Sequence, residues 1–160
     1  MSLTAWGAST QRVIDAAAER GLGVEVRRFP EGTRTAADAA AAVGCEVGAI
    51  VKSIVCASDQ GPVLVLTSGV NRVDYDKVAA HLGRERVARA DAALVREATG
   101  YAIGGTAPFG HPEPLPTLID ADLMAHDEVW AAAGTPDTVF GVHPEALVAA
   151  CGAPMADVKV

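Results

Sequence analysis

Aromatic side chains are scarce in this chain of 160 residues: Phe, Trp and Tyr together make up 4% of it, although 50% of the residues are hydrophobic. The core must therefore be built mainly from Ala, Val and Leu. We expect a single domain spanning residues 1–160, since typical domains contain about 100–200 residues, and we draw no inference from residues 1–3. A domain this apolar can fold without metal ions or disulfides.

Cysteine is also sparse, and the three cysteines show no CxxC spacing. An odd number of widely spaced cysteines argues against a disulfide framework. The sequence shows no charged-then-apolar leader, and no apolar run reaches the about 20 residues that a bilayer-spanning helix needs. We therefore expect a cytoplasmic protein without a membrane partner.

The common signatures of catalytic and metal sites are missing. No two of the four histidines stand at the spacing of metal ligands, and no GxSxG, HExxH or Walker loop occurs. Asp120 and Asp122 would lie on opposite faces of an extended segment, and such residues are most often solvated. We expect neither a metal nor an organic cofactor.

Basic residues are nearly absent from the second part of the chain. Residues 1–96 carry 12 basic and 11 acidic side chains, whereas residues 97–160 carry one basic and 9 acidic ones. A net charge of −7 lacks the strongly positive surface of a general nucleic-acid binder, and we expect no DNA partner. The charge favours brief contact between the N-terminal part and a nucleic-acid end, or no nucleic acid at all.

Helical and strand-like patterns alternate along the chain without a repeat or a linker. The predicted helices cover residues 10–20, 35–44, 74–82, 91–100 and a last segment from residue 143. The predicted strands cover residues 24–29, 52–57, 63–67, 86–90, 117–119, 128–132 and 138–142. A hairpin turn is predicted at residues 59–61. Short strands with interspersed helices favour a mixed α+β sheet over regular βαβ winding.

The most informative segment is residues 100–111, GYAIGGTAPFGH, which we call the glycine-rich segment. Its paired glycines let backbone N–H groups approach a ligand, and its proline fixes the backbone that follows. Main-chain donors of this kind can form an oxyanion hole, although a glycine-rich connection between strands is more often a plain turn. The candidate site residues within it are Gly104, Gly105, Thr106, Pro108 and His111.

Lys52 is the second candidate, because it is the only charge in the apolar run AIVKSIVC at residues 49–56. Such a lysine either lays its stem along the core with the ammonium in water or reaches into a pocket, and composition leaves both open. After the next strand, Ser68 and Asn71 flank a turn that could direct a hydroxyl and an amide into a pocket. A plain turn is the more common outcome.

Taken together, these segments resemble the YbaK and prolyl-tRNA-synthetase-associated editing-domain family. The resemblance covers nearly the whole chain, in the order expected of the family. The matching segments are VKS at 51–53, TSG at 67–69, the helix at 74–82, ATGY at 98–101, GGTAPFG at 104–110, LPTLID at 115–120 and residues 134–140.

The resemblance implies a mixed, barrel-like β-sheet surrounded by helices, and hydrolysis of aminoacyl-tRNA that carries the wrong small amino acid. Family members most often clear cysteine or alanine from tRNA(Pro). Lys52 falls on the family's lysine beside the terminal adenosine, and the glycine-rich segment falls on its substrate-binding loop. Asp137 and Thr138 fall near a polar substrate-side position. Phe29 replaces a tyrosine of some relatives, and it can wall a pocket but cannot hydrogen-bond.

Such a hydrolase needs few catalytic groups, because an aminoacyl ester is already activated toward hydrolysis. We expect N–H groups at Gly104 and Gly105 to stabilise the oxyanion, and Lys52 to hold the 3′-terminal CCA end of the tRNA. No side chain is an obvious general base, so the substrate's own ribose hydroxyl or amino group, or a water, would take the proton. Two alternatives stay open: a non-catalytic small-ligand module, and a module that docks on an aminoacyl-tRNA synthetase.

Overall fold

A computed structural model describes residues 6–29 and 35–160 of the chain. The helices in this part are α1 (Ala8–Glu19), α2 (Ala36–Val43), α3 (Tyr75–Leu82), α4 (Ala92–Thr99) and α5 (Pro144–Cys151). The strands are β1 (Val26–Arg28), β2 (Val51–Ser58), β3 (Val63–Ser68), β4 (Val87–Arg89), β5 (Thr117–Asp120), β6 (Val129–Ala132), β7 (Thr138–Val142) and β8 (Met155–Ala156). Within these residues no helix has the length and apolar character required to cross a membrane.

The strands form two sheets. The larger one has the order β4-β2-β3-β5-β8, with antiparallel pairs around β2 and parallel pairs around β5. The smaller one is antiparallel, in the order β1-β7-β6, and a parallel bridge between Ile50 and Trp130 links the two. The mixed α+β class is confirmed. Across residues 6–29 and 35–160 the strands do not close into a barrel, and the barrel-like shape stays a prediction.

The predicted element boundaries are close to those observed, because most of them are set by local signals. Thr35 caps α2 by accepting a hydrogen bond from the Asp38 N–H, and Asp91 caps α4 by accepting one from Leu94. The two-residue strand β8 was not predicted, because a segment this short shows no alternation of apolar and polar residues. Two 3₁₀ helices, Val47–Ala49 and Ala121–Ala125, were also missed.

The predicted hairpin joins β2 to β3, and its register decides which side chains face which core. Lys52 lies opposite Thr67, and Ser53 lies opposite Leu66. Side chains alternate between the two faces of a strand, and directly paired residues share a face. Leu66 belongs to the main core cluster, whereas the neighbouring face of β3 packs against Val78 of α3. Ser53 therefore faces the main core, and Lys52 faces the side covered by α3.

Asp120, at the end of β5, is buried, with a relative exposure of 1%. Its carboxylate accepts hydrogen bonds from the Ser68 N–H at 3.0 Å, the Asn71 side-chain amide at 2.8 Å and the Asp122 N–H at 2.9 Å. The interpretation of Asp120 as a solvated residue was therefore wrong. Asp122 is partly exposed, and it binds Asn71 and Lys159. Together the two carboxylates fix the turn at residues 68–71.

Replacing Asp120 should destabilise the fold strongly. Asp120→Ala removes the acceptor of three donors, and leaving buried donors unpaired typically costs about 1–3 kcal/mol each before relaxation. We expect the free energy of unfolding, measured by urea denaturation, to fall by about 2–4 kcal/mol. Asp127→Ala is the matched control, because Asp127 is exposed. A loss for Asp120→Ala as small as that of the control would contradict the role assigned to this carboxylate.

Candidate active site

A cavity of about 290 Å³ lies where β2, the smaller sheet and the glycine-rich segment meet. This volume is at the lower end of the range for small-molecule sites. Its walls are largely apolar. The apolar side chains that form them include Ile50, Val51, Val55, Val95, Trp130 and Val139. Such walls suit a small, weakly polar group rather than a charged metabolite.

The polar lining of the cavity consists of cations and hydroxyls. Among the described residues that border it there is no Asp, Glu, His or Cys. The polar residues that do border it are Thr35, Lys52, Ser53, Arg89, Thr106 and Thr138. Within the described chain the cavity thus offers no carboxylate or imidazole as a general base, and no thiol as a nucleophile.

The glycine-rich segment contributes Gly104 and Thr106 to the cavity, whereas Gly105 lies behind them. The Gly105 N–H already donates to the Ala102 carbonyl at 3.0 Å. A Cβ on Gly105 would lie 2.8 Å from the Cα of Thr135, so this residue marks a direct contact between two backbones. Gly104 has φ +89°, which favours glycine.

Of the two N–H groups predicted to stabilise an oxyanion, that of Gly105 is engaged within the protein and that of Gly104 is not. Within the described chain, the N–H groups of Gly104 and Thr106 donate to no protein acceptor. Both residues border the cavity, whereas the N–H of Gly105 is already engaged. The N–H groups of Gly104 and Thr106 therefore remain available to a ligand, as does that of the neighbouring Ile103.

Buried side chains hold the glycine-rich segment from behind. The Tyr101 hydroxyl donates to the Phe109 carbonyl at 3.1 Å, and the Arg12 guanidinium lies 4.3 Å from the centre of the Tyr101 ring. Nε2 of His111 lies 2.9 Å from the Ala107 carbonyl oxygen. Burial lowers the pKa of His111, which favours the neutral ring. His111 and the buried Pro108 do not border the cavity, and their role in substrate binding stays a prediction.

Lys52 borders the cavity, and its ammonium is fixed at the turn formed by residues 68–71. Nζ donates to the Asn71 carbonyl at 2.5 Å. Partial burial lowers the pKa of Lys52; the Asp120 carboxylate opposes this shift, and repulsion from Arg72 and Arg89 adds to it. The lysine thus lies among other cations, in a position to meet an anion that approaches the cavity.

Ser68 and Asn71 hold the turn together, and neither borders the cavity. The Ser68 hydroxyl donates to the Gly48 carbonyl at 2.7 Å, and the Asn71 amide donates to Asp120 and Asp122. All of their side-chain donors are therefore occupied by the protein. Their assignment as substrate ligands stays a prediction, and the Asn71 carbonyl is the atom that holds the Lys52 ammonium.

The segment at residues 134–138 forms the opposite wall. Thr138 borders the cavity, and its hydroxyl lies 2.6 Å from the Thr135 hydroxyl. Asp137 does not border it: its carboxylate accepts from Thr135 and lies 3.8 Å from Arg28. Phe29 packs behind the wall formed by Ile50, Trp130 and Val139. Sequence reasoning thus located this neighbourhood, although the cavity itself contains only one of the three residues assigned there.

Trp130 and Ser53 are among the lining residues that were not assigned a role from the sequence. Trp130 forms part of the wall, and the Arg27 guanidinium lies 4.7 Å from its ring centre. Ser53 borders the cavity with a buried hydroxyl that has no hydrogen-bond partner within the described chain. The strand pattern alone could not show that these two residues border a cavity. That depends on the register of the sheets, which cannot be read from the sequence.

Comparison with known proteins decides the family. The sequence profile of the aminoacyl-tRNA editing domain matches residues 30–150, which is most of the chain. The chain belongs to this family. The editing-domain profile spans β2, the glycine-rich segment and the segment at residues 134–138, so it includes every element that forms the cavity.

Individual editing-domain relatives agree with this assignment. A crystal structure described as a candidate trans-editing enzyme for prolyl-tRNA synthetase superposes with a TM-score of 0.92, at 46% identity over 98% of this chain and 99% of that one. A candidate Cys-tRNA(Pro)/Cys-tRNA(Cys) deacylase of Enterococcus faecalis, EbsC, is 26% identical over 78% of this chain and 76% of its own length. Proline–tRNA ligase of Leuconostoc mesenteroides is 36% identical over 46% of this chain, which corresponds to 14% of the ligase.

Adding a methyl group at Gly105 should disturb the cavity wall. In Gly105→Ala the new Cβ would meet the backbone of Gly134 and Thr135 at 2.8–2.9 Å, so the segment must move. We expect the free energy of unfolding to fall by about 1–3 kcal/mol, as measured by chemical denaturation. Gly23→Ala is the control, since no atom lies within 4 Å of its added Cβ. Equal stability of the two variants would show that this backbone contact is not tight.

Cys56 and Cys151 should be unreactive in the folded protein. Burial raises the pKa of Cys56 and of Cys151 to about 11, against a usual value of 9.0. At pH 8 this lowers the thiolate fraction about 100-fold, and the thiolate is the reactive form. We expect alkylation by iodoacetamide, followed by mass spectrometry, to be at least that much slower than in the urea-unfolded chain. Rapid native-state labelling of either residue would contradict the burial described here.

Proposed function

We propose that this chain is a trans-editing hydrolase that deacylates tRNA(Pro) mischarged with cysteine, alanine or another small amino acid. The observation that carries the proposal is the small apolar cavity bordered by two free main-chain donors, at Gly104 and Thr106. Membership of the editing-domain family and the names of its relatives support the same substrate class. The barrel-like closure of the sheet remains part of this proposal.

In the proposed mechanism the aminoacyl group enters the cavity and its carbonyl oxygen meets the N–H groups of Gly104 and Thr106. A water adds to the carbonyl carbon, and the two donors stabilise the negative charge that develops on oxygen. The bond from the carbonyl carbon to the ribose oxygen then breaks, and the ribose leaves with a proton. Loss of one such donor typically lowers the rate about 10²–10³-fold.

The proton acceptor in this mechanism comes from the substrate or from water. This follows from the cavity lining, which in the described chain contains no carboxylate or imidazole. The neighbouring ribose hydroxyl and the α-amino group of the amino acid both lie within reach of the scissile ester by their covalent structure. Positioning and electrostatic stabilisation are then the whole contribution of the protein.

Lys52 is the proposed ligand of the 3′-terminal CCA end. Its ammonium is fixed by Asn71, and Arg72 and Arg89 are close enough to repel it. These cations suit the phosphate beside the terminal adenosine. The net charge of −7 disfavours a wider footprint on tRNA, so we expect the contact to be confined to the acceptor end.

A synthetase is the proposed second partner. The partial match to a proline–tRNA ligase, which covers 14% of that enzyme, shows that a similar sequence occurs inside a synthetase. Residues 97–160 carry 9 acidic side chains and one basic one, which suits docking on a basic surface. Co-sedimentation of this chain with prolyl-tRNA synthetase would support docking, and free migration would favour action in solution.

Deacylation of a tRNA panel tests the proposal. The wild-type protein should release cysteine or alanine from tRNA(Pro) and spare proline. Lys52→Ala should lower kcat/KM about 10²-fold, because a partly buried, hydrogen-bonded cation that holds the substrate is lost. Lys77→Ala is the control, since Lys77 is an exposed lysine on α3 paired with Asp157, and its activity should stay within twofold.

Two outcomes would contradict the proposed function. One is survival of every ester at the background rate, including serine- and threonine-charged tRNA; this would favour a non-catalytic module of the same fold. The other is equal activity of Lys52→Ala and Lys77→Ala, which would remove Lys52 from the site while leaving hydrolysis in place.

A further inference from the structure

The Ser53 hydroxyl has no hydrogen-bond partner within the described chain, although its oxygen is buried. Ser53 lies on the face of β2 that is directed to the main core, opposite Leu66 of β3. The same residue borders the cavity. A buried hydroxyl without a partner is unfavourable, and a ligand in the cavity that Ser53 borders could supply the missing hydrogen bond.

The other hydroxyls that border the cavity are already engaged. Thr106 donates to the Ala102 carbonyl at 3.2 Å, and the Thr138 hydroxyl lies 2.6 Å from that of Thr135. Thr35 accepts the capping hydrogen bond of α2. Among the lining hydroxyls of the described chain, that of Ser53 is the one without any hydrogen-bond partner.

Burial without a partner is not by itself enough to mark a site, as Thr67 illustrates. Its hydroxyl is also buried and unpartnered, but it lies on the opposite face of the β2–β3 hairpin and does not border the cavity. The unpartnered Nε atoms of Arg12 and Arg84 do not border the cavity either. Ser53 combines both properties, and Thr67 serves as its internal control.

The surroundings of Ser53 indicate which part of a substrate it meets. Val51 and Val55 flank it on the same face of β2, and both belong to the apolar lining. An α-ammonium group needs three acceptors, and a single hydroxyl between valines does not provide them. A side chain ending in one hydroxyl or thiol needs only one partner, which this position offers.

We propose that Ser53 is a specificity-determining residue whose hydroxyl hydrogen-bonds a hydroxyl or thiol on the side chain of the amino acid to be removed. This inference rests on the proposed function, because it concerns the amino acid carried by the tRNA. Serine and cysteine esters gain the hydrogen bond, and the alanine ester leaves the Ser53 hydroxyl unpaired. A neutral hydrogen bond of this kind discriminates by about 3–15-fold.

Deacylation by the wild-type protein and by Ser53→Ala, compared on tRNA(Pro) carrying serine, cysteine or alanine, tests the inference. The wild type should show kcat/KM values for serine and cysteine about 3–15-fold above that for alanine. Ser53→Ala should lower the first two values to that of alanine and leave alanine unchanged. Thr67→Val, which removes the other unpartnered hydroxyl, should keep the wild-type ratio.

The thermal midpoint of unfolding separates this role from a structural one. Ser53→Ala removes a buried, unpaired hydroxyl, so its midpoint should equal or exceed that of the wild type. A uniform loss on all three esters would overturn the inference, since the hydroxyl would then contact a part common to every substrate. Unchanged values on all three would overturn it as well.

Binding of non-hydrolysable analogues keeps the inference testable if no ester is cleaved. The probes are adenosines that carry serine or alanine through a 3′-amide, titrated by calorimetry. The wild type should bind the seryl compound about 3–15-fold more tightly than the alanyl compound, and Ser53→Ala should bind both alike. If no ester is hydrolysed but the wild type binds the seryl compound more tightly, only the catalytic proposal is overturned. If the wild type binds both compounds with equal affinity, the role of Ser53 is overturned.

Discussion

The backbone contact between Gly105 and the Gly134–Thr135 pair positions the glycine-rich segment against the smaller sheet. A Cβ on Gly105 would lie 2.8 Å from the Thr135 Cα, so no other residue permits this approach without displacement. The contact places the free N–H groups of Gly104 and Thr106 at the cavity, next to the wall that contains Thr138. The proposed oxyanion site therefore depends on close packing between two backbone segments.

Strand β2 supplies the two other parts of the site, one on each face. Lys52 reaches the turn at residues 68–71, where Asn71 receives its ammonium and the buried Asp120 fixes Asn71. Ser53 projects toward the apolar interior of the cavity. In the proposed function, this alternation places the cation that would meet the tRNA and the surface that would meet the amino acid on opposite faces of the strand. A cavity so built can select and orient an ester, and it leaves proton transfer to the substrate and to water.

Sequence patterns predicted most of the elements, because caps, glycines and apolar periods are local signals. Lys52, Gly104 and Thr138, which the family resemblance assigned to the site, all border the cavity, and their roles stay predictions. The burial of Asp120 could not be predicted, because it depends on donors from a turn about 50 residues away. The position of Ser53 at the cavity was missed for a related reason: the face of a strand residue follows from sheet register, which only the fold defines.

The location of the bound aminoacyl group is the central claim, and NMR can test it directly. Titration of the ¹⁵N-labelled protein with an alanyl-adenosine 3′-amide should shift the amide signals of Gly104, Thr106 and Ser53 most strongly. The amides of Gln60, Leu94 and Ala98, which line the second groove, should not respond. Shifts confined to that groove, with the Gly104 and Thr106 signals unchanged, would contradict the assignment of the cavity as the editing site.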